Sequence, residues 1–217
     1  MPFPDFSDIE QRIQHNYPNV DLTYNWKWPP TNQKILDFYG DPIDGLTEEE
    51  FTVRLFQKFH DAFQKAAGNK DRIIEIINLI VAEWGGIRNN KPAKIETYAN
   101  YLISNKLKKL AVTTGIASKS KILAAWDPNQ YYIYDSRVAI ALQTLYFGKY
   151  KFSIPNPKTS ENRKAEIKEI TGELKQSAGS RVRYCEFCEG LKNKGNGNQL
   201  EKKLFMLGGY IEENGLK

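Results

Sequence analysis

The sequence predicts an all-α fold of about nine or ten helices. Three observations carry that expectation. Apolar residues recur at helical spacing over most of the chain. Helix-start chemistry, an Asp, Ser or Thr followed by acids, precedes several of those runs. Alternating apolar and polar runs of the kind a half-buried strand needs are nearly absent, apart from a short possibility at 130–134.

The elements follow in order. Asp5-Phe6-Ser7, with Asp8 and Glu10 behind it, reads as a helix start with acids in the first turn. Residues 16–30 form an aromatic, proline-bearing loop, and 31–39 a short helix broken by Gly40-Asp41-Pro42. Thr47 with Glu50 three positions on is a capping box, and Phe51, Leu55, Phe56, Phe59 and Phe63 share one face of the helix it opens. Asp71 opens the next, with Ile74, Ile77, Ile80, Val81 and Trp84 at helical spacing until Gly85-Gly86. Residues 95–105 are amphipathic, 107–112 a short helix, and 118–126 another that Pro128 ends. Asp135 starts a helix through Leu145. A proline-rich linker at 153–159 leads to a helix at 160–176, a glycine-asparagine loop at 192–198 and a last helix at 200–207. There is no internal repeat.

With 217 residues, 41% of them hydrophobic, the chain can build one sizeable domain or two small lobes around a shared cleft. The expected division is an N-terminal lobe at about 1–70, a central core at about 71–150 and C-terminal helices at about 151–217. The longest apolar candidate, 73–84, is broken by Glu75, Asn78 and Glu83, so no membrane span is expected. The N-terminus lacks a basic start and an apolar core, which points away from a signal peptide and toward a soluble cytoplasmic protein. Cys185 and Cys188 stand as a lone C-x-x-C. Without a second pair they read as free thiols of a reducing compartment rather than ligands of zinc or an iron–sulfur cluster, and no cofactor is expected.

Charge is unevenly placed. No Asp or Glu occurs from Thr97 to Trp126, a window that holds Lys106, Lys108, Lys109, Lys119 and Lys121. Its +5 equals the net charge of the whole chain. Such a local field suits a polyanion, and nucleic acid is the commonest. The other reading is a solvated lysine-rich surface. Within the window, T-T-G-I-A reads as a tight hairpin between two short helices. Gly115 supplies a backbone conformation that a Cβ tolerates poorly, and the small Ala117 lets another backbone approach. Amide N–H groups and a helix N-terminus converging on one spot attract phosphate, and Lys119 adds charge there.

Asp135 is an N-cap by position, and a capping carboxylate at a cleft mouth can also stabilise a developing cation. Taken together, TTGIASK, an aspartate sixteen positions after Lys119, and IYDSRVAIAL resemble the signature of the helix-hairpin-helix DNA glycosylase superfamily. The family pattern is L-P-G-V-G-x-K, then a hydrophobic-Val-Asp-x-His-hydrophobic run. Here Thr113-Thr114 stand where that pattern has Leu-Pro. LEKKLFMLGG near the C-terminus similarly resembles the E-x-x-L-F-x-x-G helix of many members, the oxoguanine-specific branch among them.

The resemblance implies a glycosylase-like helical fold in two lobes around a cleft, a duplex DNA partner with a damaged base, and a monomer. It makes Gly115 and Ala117 the hairpin positions, Lys119 the catalytic lysine of lyase-type members, Asp135 the catalytic aspartate and Arg137 the cation two positions on. The chemistry needs those types. An amine attacks C1′ and forms a Schiff base, for which it must lose a proton, as partial burial and neighbouring cations favour. A carboxylate stabilises oxocarbenium character. Lys108, Lys109 and Lys121 are expected phosphate contacts, Lys121 leaving the helix on a different face from Lys119. The flipped base needs a pocket, which Trp84, Trp126, Tyr132 and Tyr134 could line, although each is also an ordinary core aromatic. A non-catalytic helix-hairpin-helix DNA-binding module, with Lys119 as phosphate contact and Asp135 as cap, is the alternative from another class, and a helical domain without a DNA role is the third.

Overall fold

The computed structural model describes residues 6–25, 32–110, 115–152, 154–155, 165, 168–170, 172, 180–181 and 183–216. Among them are ten α-helices, one π-helical turn and a single two-residue strand pair. The chain forms two compact units, one of Met1–Thr23, Thr113–Ala117 and Tyr132–Lys217, the other of Tyr24–Val112 and Ser118–Tyr131. The units are thus not the consecutive stretches 1–70, 71–150 and 151–217. The first interleaves both ends of the chain, because its N-terminal helix packs on a helix that begins past residue 135.

The second unit holds α2 (Gln33–Tyr39), α3 (Glu48–Ala66), α4 (Lys70–Asn78) with a π-helical continuation (Leu79–Trp84), α5 (Pro92–Ile103), α6 (Leu107–Leu110) and most of α7 (Ile116–Trp126). The capping box of α3 is complete. Glu50 N–H donates to Thr47 Oγ1 at 3.2 Å and Thr47 N–H to Glu50 Oε2 at 2.9 Å. Phe51, Leu55, Phe56, Phe59 and Phe63 are all buried. In α4 the buried face is Ile73, Ile76 and Ile77, whereas the sequence reading placed Ile74 inward and the helix start at Asp71. Asn69 is the cap, its side chain accepting from Arg72 N–H at 3.2 Å. In the π-helical turn Gly85 N–H reaches back five residues to Ile80 O at 2.9 Å. Ile80, Val81 and Trp84 all remain buried across that wider turn.

The first unit holds α1 (Ile9–Asn16), α8 (Ser136–Leu145), β1 (Tyr150–Lys151), β2 (Ser180–Arg181), α9 (Tyr184–Lys192) and α10 (Gly197–Asn214). The two strands pair in parallel, Tyr150 against Ser180 and Lys151 against Arg181. No strand forms at 130–134. Tyr132 and Tyr134 are both buried, and the Tyr184 hydroxyl donates to Tyr132 O at 2.8 Å, so that backbone is tied to a side chain rather than to a ladder. Among the described residues, α8 and α10 make the most extensive helix pairing. It depends on Gly208, where a Cβ would lie 2.0 Å from Arg137 O. Gly208 is the glycine of the E-x-x-L-F-x-x-G run, so a close helix crossing explains its residue type. α10 is also longer than the expected 200–207. The hairpin residues 111–114, the linker at 153–159 apart from 154–155, and most of the helix expected at 160–176 lie outside the described residues.

Candidate functional site

Gly115 adopts φ +70°, the left-handed conformation that favours glycine. α7 begins at the next residue, Ile116, two residues before the expected start. Gly115 is exposed and Ala117 half-buried. Lys119 is therefore the fourth residue of α7, one turn past the glycine.

The α7 lysines do not project into water. Lys119 is only 8% exposed and Lys121 6%. Their aliphatic stems lie in the interior and their ammonium groups sit over aromatic rings, which receive the cationic ends of long buried side chains. Lys119 Nζ lies 5.9 Å from the centroid of Tyr98 on α5. Lys121 Nζ lies 5.8 Å from Trp84. Gly85 makes room for Lys121, since a Cβ there would meet Lys121 Cδ at 2.9 Å. The two lysines thus face different rings. Lys121, expected as a surface phosphate contact, is a buried side chain. Of the others, Lys109 and Lys106 are exposed, and the Lys108 side chain lies outside the described residues.

Burial pushes the Lys119 ammonium below its usual value, and the positive charge of Lys94 pushes it further the same way. Lys94, like Lys119, lies over the Tyr98 ring, 5.8 Å from its centroid. Among the described residues no Asp or Glu forms an ion pair with Lys119. Tyr98 is 2% exposed, and its hydroxyl finds no hydrogen-bond partner among the described residues. Burial pushes its phenol up to about 12. Neither Tyr98 nor Lys94 stood out in the sequence. Tyr98 reads there as one more apolar position on the buried face of α5, beside Ile95, Ala99 and Leu102.

Asp135 caps α8, its Oδ1 accepting from Arg137 N–H at 3.0 Å and Val138 N–H at 3.2 Å. Arg137, the DNA-contacting cation that the resemblance puts two positions past the aspartate, is turned inward. Its Nε donates to Glu212 Oε2 at 3.1 Å, and its guanidinium stacks 4.8 Å from the Phe205 centroid. Glu212 is buried, so the positive charge is matched inside the α8–α10 packing. Lys119 lies in the second unit and Asp135 in the first.

The aromatic candidates for a base pocket are packing residues in this structure. Trp84 meets Phe56 edge-on at 4.8 Å and Trp126 meets Phe63 at 5.3 Å. Tyr134 meets Phe187 at 5.1 Å, and Tyr132 fills the space that the absent Cβ of Gly197 leaves. Trp84, Tyr132 and Tyr134 are buried and Trp126 half-buried. The reason is the same for each, since a ring beside a glycine or another ring gains more by burial than by lining a solvent-filled space.

Cys185 is exposed and Cys188 buried, and no disulfide joins them. Among the described residues no group of three or more His, Cys, Asp and Glu could hold a metal ion, and no helix is long and apolar enough to cross a membrane. No family model matches this sequence, no curated protein matches it, and no solved structure matches the fold.

Proposed function

We propose that the chain is a base-excision DNA glycosylase with AP-lyase activity, removing a damaged base, an oxidised purine, from duplex DNA. The observation that carries the reading is Lys119, a buried lysine with no carboxylate partner among the described residues, whose proton affinity burial lowers, one turn after a left-handed glycine. Burying an unpaired ammonium is costly, and a lysine kept in that state suits a nucleophile better than a phosphate contact.

In this reading the α7 entry takes the DNA backbone at Gly115 and Ala117, with Lys109 supplying surface charge and Lys108 assigned the same role. The neutral Lys119 amine attacks C1′, and the bond electrons leave with the base, which takes up a proton. Loss of the amine protons and opening of the sugar give a Schiff base. Removal of a C2′ proton then expels the 3′ phosphate. Asp135 stabilises the cationic character at the sugar. The helices adopt the helix-hairpin-helix glycosylase arrangement, and the protein acts as a cytoplasmic monomer, associated with the nucleoid when bound to DNA.

The test is borohydride trapping on duplexes that each carry a single lesion, 8-oxoguanine and an abasic site among them. The unmutated chain is expected to form a covalent adduct. Lys119→Gln should lose it while still binding duplex, because glutamine keeps the length and lacks the nucleophile. Two observations favour a second reading, a non-catalytic DNA-binding module. Asp135 already serves as a cap and Arg137 is paired with Glu212. Duplex binding without an adduct on any lesion would select that reading.

A further inference from the structure

Two ammonium groups share one buried ring. Lys94, exposed on the first turn of α5, and Lys119, buried on α7, both lie within 6 Å of the Tyr98 centroid. The ring quadrupole attracts either cation, but like charges so placed repel, and the cost falls on the less hydrated one. Lys94 is exposed and keeps its water, whereas burial and the neighbouring charge lower the proton affinity of Lys119. Among the described residues, no Asp or Glu forms an ion pair with Lys119 to compensate. On α5, Tyr98 keeps its proton up to about pH 12. On the turn before α5, Asn90 donates to Ser118 Oγ at 3.4 Å, and both are neutral. On α7 itself the nearest charge is Lys121, a third cation, directed to Trp84.

We propose that Lys94 is a positioning residue for Lys119, its fixed positive charge across Tyr98 enlarging the neutral, nucleophilic fraction of the Lys119 amine. This deepens the glycosylase reading and rests on it for its purpose, but the charge coupling can be measured without DNA. The direct readout is the Lys119 side-chain resonance, followed by NMR against pH in the full, unliganded chain. Lys94→Gln should move its midpoint to higher pH, Lys94→Glu further, and Lys94→Arg should leave it nearly in place. The second readout is borohydride trapping on a duplex with a preformed abasic site, which needs no base removal. Lys94→Gln should trap severalfold more slowly near neutral pH and recover in alkaline buffer.

An unmoved Lys119 midpoint in Lys94→Gln overturns the proposal. So does a trapping loss equal at every pH, which would make Lys94 a phosphate contact. A shifted midpoint together with no trapping by the unmutated chain leaves the coupling in place and sinks the glycosylase reading instead.

Discussion

Replacing Gly208 by alanine tests the packing that holds the first turn of α8. The added Cβ would lie 2.0 Å from Arg137 O, 2.5 Å from its carbonyl carbon and 2.7 Å from its Cα. All three are backbone atoms of a neighbouring helix, so no rotamer change relieves the clash. α8 and α10 must part by more than an ångström to restore ordinary contact. Overpacking of this kind costs up to about 3 kcal/mol, and alanine in a helix interior returns about 1 kcal/mol relative to glycine. The net loss is about 2 kcal/mol, a fall in Tm of roughly 4–8 °C for a chain of this length. Gly209→Ala is the control, because the nearest atoms its Cβ meets are the guanidinium of Arg137 at 3.3 Å, side-chain atoms that need shift by only a few tenths of an ångström. It should stay within about 1 kcal/mol of the unmutated protein. Thermal and urea denaturation followed by circular dichroism read both. If Gly208→Ala melts at or above the unmutated temperature, the α8–α10 approach is not as close as described, and the reason given for the glycine fails.

Three further outcomes are expected. Asp135→Asn should keep the α8 cap within a few tenths of a kcal/mol, whereas Asp135→Ala should cost about 1 kcal/mol. Only the charge distinguishes Asn from Asp, so base excision should fall in Asp135→Asn; excision at the unmutated rate would leave Asp135 a cap alone. With a disulfide reagent, Cys185 should react promptly and Cys188 only through opening of the fold, because burial pushes the Cys188 thiol up to about 12. The unfolded thiol ionises near 8.5, so between about pH 8.5 and 12 the unfolded state holds fewer protons and stability should fall as pH rises. Equal reaction rates for the two cysteines at pH about 8 would contradict the burial of Cys188.

What the sequence determined by itself is what neighbours within one helical turn decide. Thr47 and Glu50 are three positions apart, and each satisfies the other's backbone donor wherever the helix lies. The phenylalanine face of α3, the left-handed turn at Gly115 and the cap at Asp135 are legible for the same reason. Small errors arose where two local signals competed. Asn69 rather than Asp71 opens α4, and the inward face of α4 follows that start.

The tertiary structure decided which distant groups meet. Arg137 and Glu212 are 75 positions apart and pair only because Gly208 lets α10 against α8. Lys121 reads in the sequence as a surface phosphate contact and Lys119 as an amine favoured by partial burial, since lysine is seldom fully buried. They are interior because α5 offers Tyr98 and the π-helical turn offers Trp84 as surfaces for their ammonium groups. A lysine's proton affinity depends on its hydration and on charges in space rather than along the chain. The state of the Lys119 amine was therefore open until folding placed it, with Lys94, on one ring.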